Sequence, residues 1–157
     1  MRIFVDADSC PQQVRDIVGR AAIREGLECL YAANRKIPIM DNELLSMIVV
    51  EKGEGVADRY IVDNAEPGDI AVTRDIPLAD SLVSKGIVTV NDRGDIFTPE
   101  NIKQRLSIRN LMQDFREIGI MPEKESRFGP KDVQLFANAF DRELRKLTAL
   151  NKKKAGS

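Results

Sequence analysis

Short apolar runs that stop at polar, mostly acidic residues alternate along this chain with segments whose apolar positions recur every three or four residues. The first run, Arg2 to Val5 (RIFV), ends at Asp6-Ala7-Asp8-Ser9-Cys10-Pro11. Ser9 or Cys10 can cap a helix there and Pro11 suits its first turn. Val14, Ile17, Val18, Ala21 and Ala22 then keep helical spacing as far as Gly26. Leu27 to Ala32 (LECLYA) and Met47 to Val50 (MIVV) read as two further strands, separated by Pro38 and the Asp41-Asn42 turn signal. Gly53 and Gly55 break the chain, and Val56 to Ala65 predicts a short helix with Ala57, Ile61, Val62 and Ala65 inward.

The Pro67-Gly68 turn leads into a buried strand, Ile70 to Thr73 (IAVT), with Asp75 just past it. Pro77 to Lys85 predicts the next helix, closed by Gly86, and Ile87 to Val90 (IVTV) the next strand, which runs into Asn91-Asp92-Arg93-Gly94. Thr98-Pro99-Glu100 is a helix start, and the helix behind it carries Ile102, Leu106, Ile108, Leu111, Met112, Phe115 and Ile118 before Gly119. A last helix covers about Lys131 to Leu150, on the spacing of Val133, Phe136, Phe140, Leu144 and Leu147. Lys152 to Ser157 reads as a frayed tail.

Strands that alternate with helices require right-handed crossovers, and so a mostly parallel central sheet with helices on both faces. The expected fold class is α/β, with the C-terminal helices packed on that sheet. At 157 residues and 43% hydrophobic, with no linker, repeat or low-complexity stretch, the chain predicts one domain over residues 1–150 and a flexible basic tail over 151–157. No apolar stretch is long enough to span a membrane, and the N-terminal run turns acidic at Asp6, unlike a signal peptide, so a cytoplasmic location is expected.

The chain has no histidine and two distant cysteines, Cys10 and Cys29, which removes the usual zinc, iron and triad chemistries. Cys10 at a helix start has the position of an activated thiol, but no partner base accompanies it, and both cysteines are read as core. A formal net charge of −1 excludes a uniformly basic nucleic-acid footprint. Local patches remain, since Arg74, Arg93, Arg105, Arg109, Arg116, Arg127 and Lys131 all follow the first carboxylate strands. Taken singly, each belongs to a solvated helix face.

In open parallel sheets ligands bind outside the carboxyl ends of the strands, where this reading puts Asp6, Asp8, Asp75 and the Asn91-Asp92 pair. Asp8 and Asp75 can each cap a following helix, and Asp58 in a first helical turn can complement its dipole. Asp6 is different, because a carboxylate ending an interior strand is costly unless it is paired or binds a cation. One divalent ion accounts for Asp6, Asp8, Asp58 and Asp75 together. Such a carboxylate set suits Mg²⁺ or Mn²⁺, and the matching chemistry is phosphodiester hydrolysis.

Val5-Asp6-Ala7-Asp8-Ser9-Cys10-Pro11, the run from Gly68 to Ala79 (GDIAVTRDIPLA), Asp92-Arg93-Gly94, Phe97-Thr98-Pro99-Glu100-Asn101-Ile102 and Gly129-Pro130 resemble, in order and spacing, the YaiI/YqxD family of bacterial proteins. The resemblance covers nearly the whole chain. That family looks like a branch of the PIN-like nucleases, which implies a PIN-like domain, a Mg²⁺ or Mn²⁺ cofactor and RNA as partner. The family's acidic positions correspond to Asp6, Asp58 in Val56-Ala57-Asp58, and Asp75 in Thr73-Arg74-Asp75, with Asn91 or Asp92 in the fourth place. Thr73, Arg74, Asn91, Asp92, Arg93 and Lys131 are the candidate substrate-binding positions. One departure is Gly55, where relatives are expected to carry an acidic residue before the Ala-Asp pair; Glu54 is the available substitute.

Two other functions fit the same residues. Asp6-Ala7-Asp8 after a first strand also resembles the nucleophile and acid of a haloacid-dehalogenase-like phosphatase, although Asp69 precedes its strand and no lysine sits at a strand end. A PIN-like domain with a vestigial metal site, binding RNA or a protein without cutting it, is the non-enzymatic alternative.

Overall fold

The structure is a computed structural model that describes residues 1–120 and 127–155. In chain order its elements are β1 (Arg2–Asp6), α1 (Gln12–Glu25), β2 (Glu28–Ala33), β3 (Leu45–Val49), α2 (Val56–Asn64), β4 (Ile70–Val72), α3 (Ile76–Ser84), β5 (Val88–Val90), β6 (Ile96–Phe97), α4 (Pro99–Glu117) and α5 (Pro130–Ala155). One sheet runs in the order β3-β2-β1-β4-β5-β6, parallel throughout except for β6. The α/β fold expected from the strand-helix alternation is the fold observed.

The pleat sorts each central strand between two cores. Ile3 and Val5 of β1, in register with Cys29 and Tyr31 of β2 and with Ile70 and Val72 of β4, pack against Val14 and Val18 of α1 and Phe136 and Phe140 of α5. Phe4, Ala32 and Ala71 point to the other face, against Ile61 of α2 and Leu78 and Leu82 of α3. Both faces of β1 and β4 are therefore buried. This is why their sequences are continuous apolar runs instead of alternating ones.

From β1 the chain passes to β2 and β3 on one side, then crosses back to β4 and β5 on the other. The strand order reverses between β1 and β4, so the two connections leave their carboxyl ends in opposite directions and open a crevice there. Asp6 and Thr73 stand on either side of it.

Four local features differ from the sequence expectation. First, β6 is a two-residue antiparallel strand, too short to carry a period of its own; it is created by the turn that Asn91 closes. Second, α1 begins at Gln12 with Pro11 as its N-cap and no side-chain cap, so neither Ser9 nor Cys10 caps it. Third, α5 continues to Ala155 through Lys152, Lys153 and Lys154, where a frayed basic tail is expected from 151 onward. Lysine is a good helix former and complements the negative end of the helix dipole, which favours that extension. Residues 156–157 of that expected tail lie outside the described residues. Fourth, Ile102 is the buried residue of α4, seated with Ala79 and Phe97, whereas Ile108, Leu111 and Ile118, which belong to the same apolar series, are 48%, 48% and 70% exposed. Helical spacing reveals an apolar stripe but not whether anything covers it.

Candidate functional site

Asp6 is the last residue of β1, 5% exposed, in a sequence position where the strand's ladder continues for one more bond, from the Ala7 amide to the Ala32 carbonyl. Thr73, just past β4, donates its hydroxyl to Asp6 Oδ2 at 2.7 Å and accepts the Asp75 amide at 2.9 Å. One hydroxyl thus orients the buried carboxylate and fixes the turn that delivers the next one. Asp75 is the N-cap of α3, its Oδ1 accepting the Leu78 amide at 2.9 Å. Asp58 sits in the first turn of α2, which is entered through Gly55 at φ 75, a left-handed conformation that suits glycine. Asp8 caps no helix: it accepts the Asn34 amide at 3.3 Å and pairs with Arg35 at 3.5 Å.

These elements surround a cleft of about 530 Å³ lined by Asp6, Asp8, Glu54, Asp58, Arg74 and Asp75, with Ser9 and Asn34 beside them. All four predicted aspartates are brought together. The Ser9 hydroxyl donates to the Asp6 carbonyl and accepts the Arg74 amide, each at 3.2 Å, and so ties the ends of β1 and β4 to one another.

Burial is the main reason the Asp6 carboxyl titrates above the usual aspartate range; bonds from Thr73 and Ser9 oppose the shift, and the charges of Asp75 and Asp8 add to it. Asp58 is pushed up to about 6, first by burial and then by the charges of Asp75 and Asp6. The carboxylates feel one another across the cleft. All the acidic groups offer hard oxygen ligands, which in kind suit Mg²⁺ or Mn²⁺. Their placement is looser: among the described residues, no group of three or more Asp, Glu, Cys or His side chains is arranged to hold a metal ion.

The other predicted positions have different places. Asn91 accepts the Arg93 and Asp95 amides at 3.0 and 2.9 Å and closes the β5–β6 turn, away from the cleft lining. Asp92 is buried and pairs with Arg74 at 3.5 Å, so it meets the cleft through that arginine. Arg93 bonds Asp132 at 3.1 Å and lies over the Phe128 ring, joining the turn to the start of α5. Lys131, in the first turn of α5, is exposed and does not line the cleft. Sequence reasoning missed Asn34, whose only signal is that it follows a strand end, and it assigned Ser9 to capping. Cys10 is buried in the core, and burial raises its thiol pKa.

Fold and site together define an α/β protein with an aspartate-lined cleft at the switch point of a parallel sheet. The chain belongs to the YaiI/YqxD family: the family model described as "Uncharacterized BCR, YaiI/YqxD family" matches residues 4–146. Among its relatives, each named "UPF0178 protein", one from Treponema denticola is 49% identical over 90% of this chain and 90% of its own length. One from Syntrophobacter fumaroxidans is 45% identical over 93% and 95%, and one from Myxococcus xanthus 46% over 94% and 96%. No solved structure matches significantly. Among the described residues, no helix is long and apolar enough to cross a membrane.

Proposed function

We propose that this protein is a Mg²⁺- or Mn²⁺-dependent nuclease of PIN-like type that hydrolyses phosphodiester bonds in single-stranded or structured RNA. The observation that carries the reading is the convergence of Asp6, Asp8, Asp58 and Asp75 on one cleft at the switch point. Asp6 and Asp75 would hold the ion, with Asp8 or Asp58 joining directly or through water. A bound divalent ion supplies charge neutralisation at the phosphoryl oxygens and a more acidic water. Thr73 keeps Asp6 oriented, and the Ser9 link keeps β1 and β4 in fixed relation. Asp58 lines the same cleft, where its carboxylate can accept a hydrogen bond from a water beside the ion. Arg74 brings a positive charge to the rim, held by Asp92.

The test combines Mn²⁺ titration calorimetry with cleavage of labelled single-stranded RNA. The wild type should bind the ion and cut slowly, lose cutting with chelator, and lose it in Asp6→Asn with an unchanged circular dichroism spectrum. Absence of ion-dependent cleavage on single-stranded, hairpin and duplex substrates would sink the nuclease.

A non-catalytic binding module is the second reading. Its support is the lack of a preassembled group of three carboxylates among the described residues, together with Gly55 at the position where an acid is expected. The phosphatase reading loses support from two placements. Asp69 lies at the opposite end of β4, bonded to the Arg2 and Glu66 amides, and no lysine is among the cleft-lining residues.

A further inference from the structure

α4 is a 19-residue helix with one buried residue, and one side of it carries a stripe of arginines. At ~100° per residue, Arg105, Arg109 and Arg116 fall within about 40° of arc, while Glu100, Asp114 and Glu117 fall well outside it. Beside the stripe runs a groove of about 540 Å³, floored by Ile76, Ile108 and Met112 and edged by these three arginines. Ile76, which lines this groove, directly follows Asp75 of the acidic cleft in the chain. Arg105 is held by Asp95 at 3.4 Å and lies over the Phe97 ring at 5.2 Å. Arg109 and Arg116 are exposed along the helix beyond it.

We propose that this groove is the docking track of a single-stranded polynucleotide, with Arg109 and Arg116 contacting different phosphates of the strand and the bases or sugars lying over Ile108 and Met112. The inference rests on the nuclease reading for what the strand is delivered to. Charge decides the occupant: Arg105 is already paired with Asp95, but the guanidinium groups of Arg109 and Arg116, with no acid of α4 in their arc, complement phosphates and repel the same pair on a second copy of this chain. From Arg105 to Arg116 the stripe is about 17 Å long at ~1.5 Å per residue, enough for a few nucleotides. A protein of net charge −1 can hold a polyanion in this way because the basic surface is gathered on one helix, while the acidic cleft would accept phosphate only with its ion bound.

Fluorescence anisotropy with a labelled 12-nucleotide single-stranded RNA in EDTA isolates the track from the cleft. Wild type should bind with an affinity that falls steeply with salt. Arg109→Glu/Arg116→Glu should weaken binding at least tenfold, and Arg109→Gln/Arg116→Gln should flatten the log-log salt slope by about 1.4 for two lost phosphate contacts. Arg20→Glu/Arg142→Glu, an equal charge change on the α1/α5 side of the sheet, should leave binding unchanged, and thermal melts confirm that each variant is folded. Equal loss in both reversals, no loss in the α4 pair, or no binding by the wild type overturns the track. Sedimentation showing a dimer that Arg109→Glu strengthens overturns it too, in favour of a second copy. Hydrolysis of a small aryl phosphodiester with Mn²⁺ monitors the cleft separately. RNA binding without any hydrolysis would sink the nuclease while the track stands, and Asp6-dependent hydrolysis of the small ester without RNA binding would do the reverse.

Discussion

Asp58→Asn in metal-free buffer should stabilise the protein at neutral pH, and the size of the effect follows from the cleft's electrostatics. The folded protein raises the Asp58 pKa from 3.8 to about 6, by burial and by the charges of Asp75 and Asp6. At ~1.36 kcal/mol per unit that shift corresponds to about 3 kcal/mol, and solvent screening of this partly exposed group cuts it to about 1–1.5 kcal/mol. Because the folded state holds the Asp58 proton more tightly than the unfolded chain, it binds more protons between about pH 4 and 6. Wild-type stability therefore falls as pH rises through that window and stays at the lower level above it. Asparagine cannot ionise, so the variant escapes that loss. Thermal melts of both proteins in EDTA from pH 4 to 8 should give a melting temperature about 2–6 °C higher for Asp58→Asn at pH 7.5, shrinking to nothing near pH 4. Asp6 titrates in both proteins, and because its charge is one of those that raise Asp58, part of the difference reports that repulsion. Saturating Mg²⁺ should narrow or invert the gap by stabilising the charged cleft of the wild type. A difference independent of pH, or an Asp58→Asn protein less stable at pH 7.5 in EDTA, would refute the picture of crowded, partly desolvated carboxylates.

Thr73→Val removes both the donor to Asp6 and the acceptor of the Asp75 amide, and should cost about 2–3 kcal/mol in urea unfolding; a loss under about 1 kcal/mol would mean those bonds do not hold the buried carboxylate. Gly94→Ala places a Cβ 2.5 Å from the Leu135 carbonyl oxygen at a φ of 87, and should cost about 2–4 kcal/mol; wild-type stability would contradict the close seating of the β5–β6 turn on α5.

Much of this architecture is legible in the sequence because the buried parallel strands leave apolar runs with abrupt polar ends, and those ends are the site. The positions of Asp6 and Asp75 follow from that logic alone. The parts that escaped depend on three-dimensional partners. β6 exists only because β5 lies beside it, and Asn91 looks like a strand-end ligand until its side chain is seen bonding the turn. Arg93 follows Asn91 and Asp92 at a strand end but bonds α5, and Lys131 in the first turn of α5 faces solvent. In α4 the spacing of Ile108, Leu111 and Ile118 matches a core stripe, and an amphipathic pattern is the same whether its partner is the sheet, another molecule or water.

Asp75 is the residue for which a structural and a functional role are hardest to separate, since it caps α3 and lines the cleft at once. The two roles make different demands on the side chain. Capping requires an oxygen that accepts the Leu78 amide, which asparagine supplies as well as aspartate. Cation binding requires the negative charge, which asparagine lacks. Asp75→Asn should therefore keep wild-type stability in EDTA, or exceed it slightly by removing one of the charges that raise the pKa values of Asp6 and Asp58. Its Mn²⁺ affinity should drop at least tenfold. Asp75→Ala loses both functions, and should fall about 1 kcal/mol below Asp75→Asn in stability while matching its weak ion binding. A pair of variants with equal stability would deny the cap, and an Asp75→Asn protein with wild-type Mn²⁺ affinity would deny the ligand.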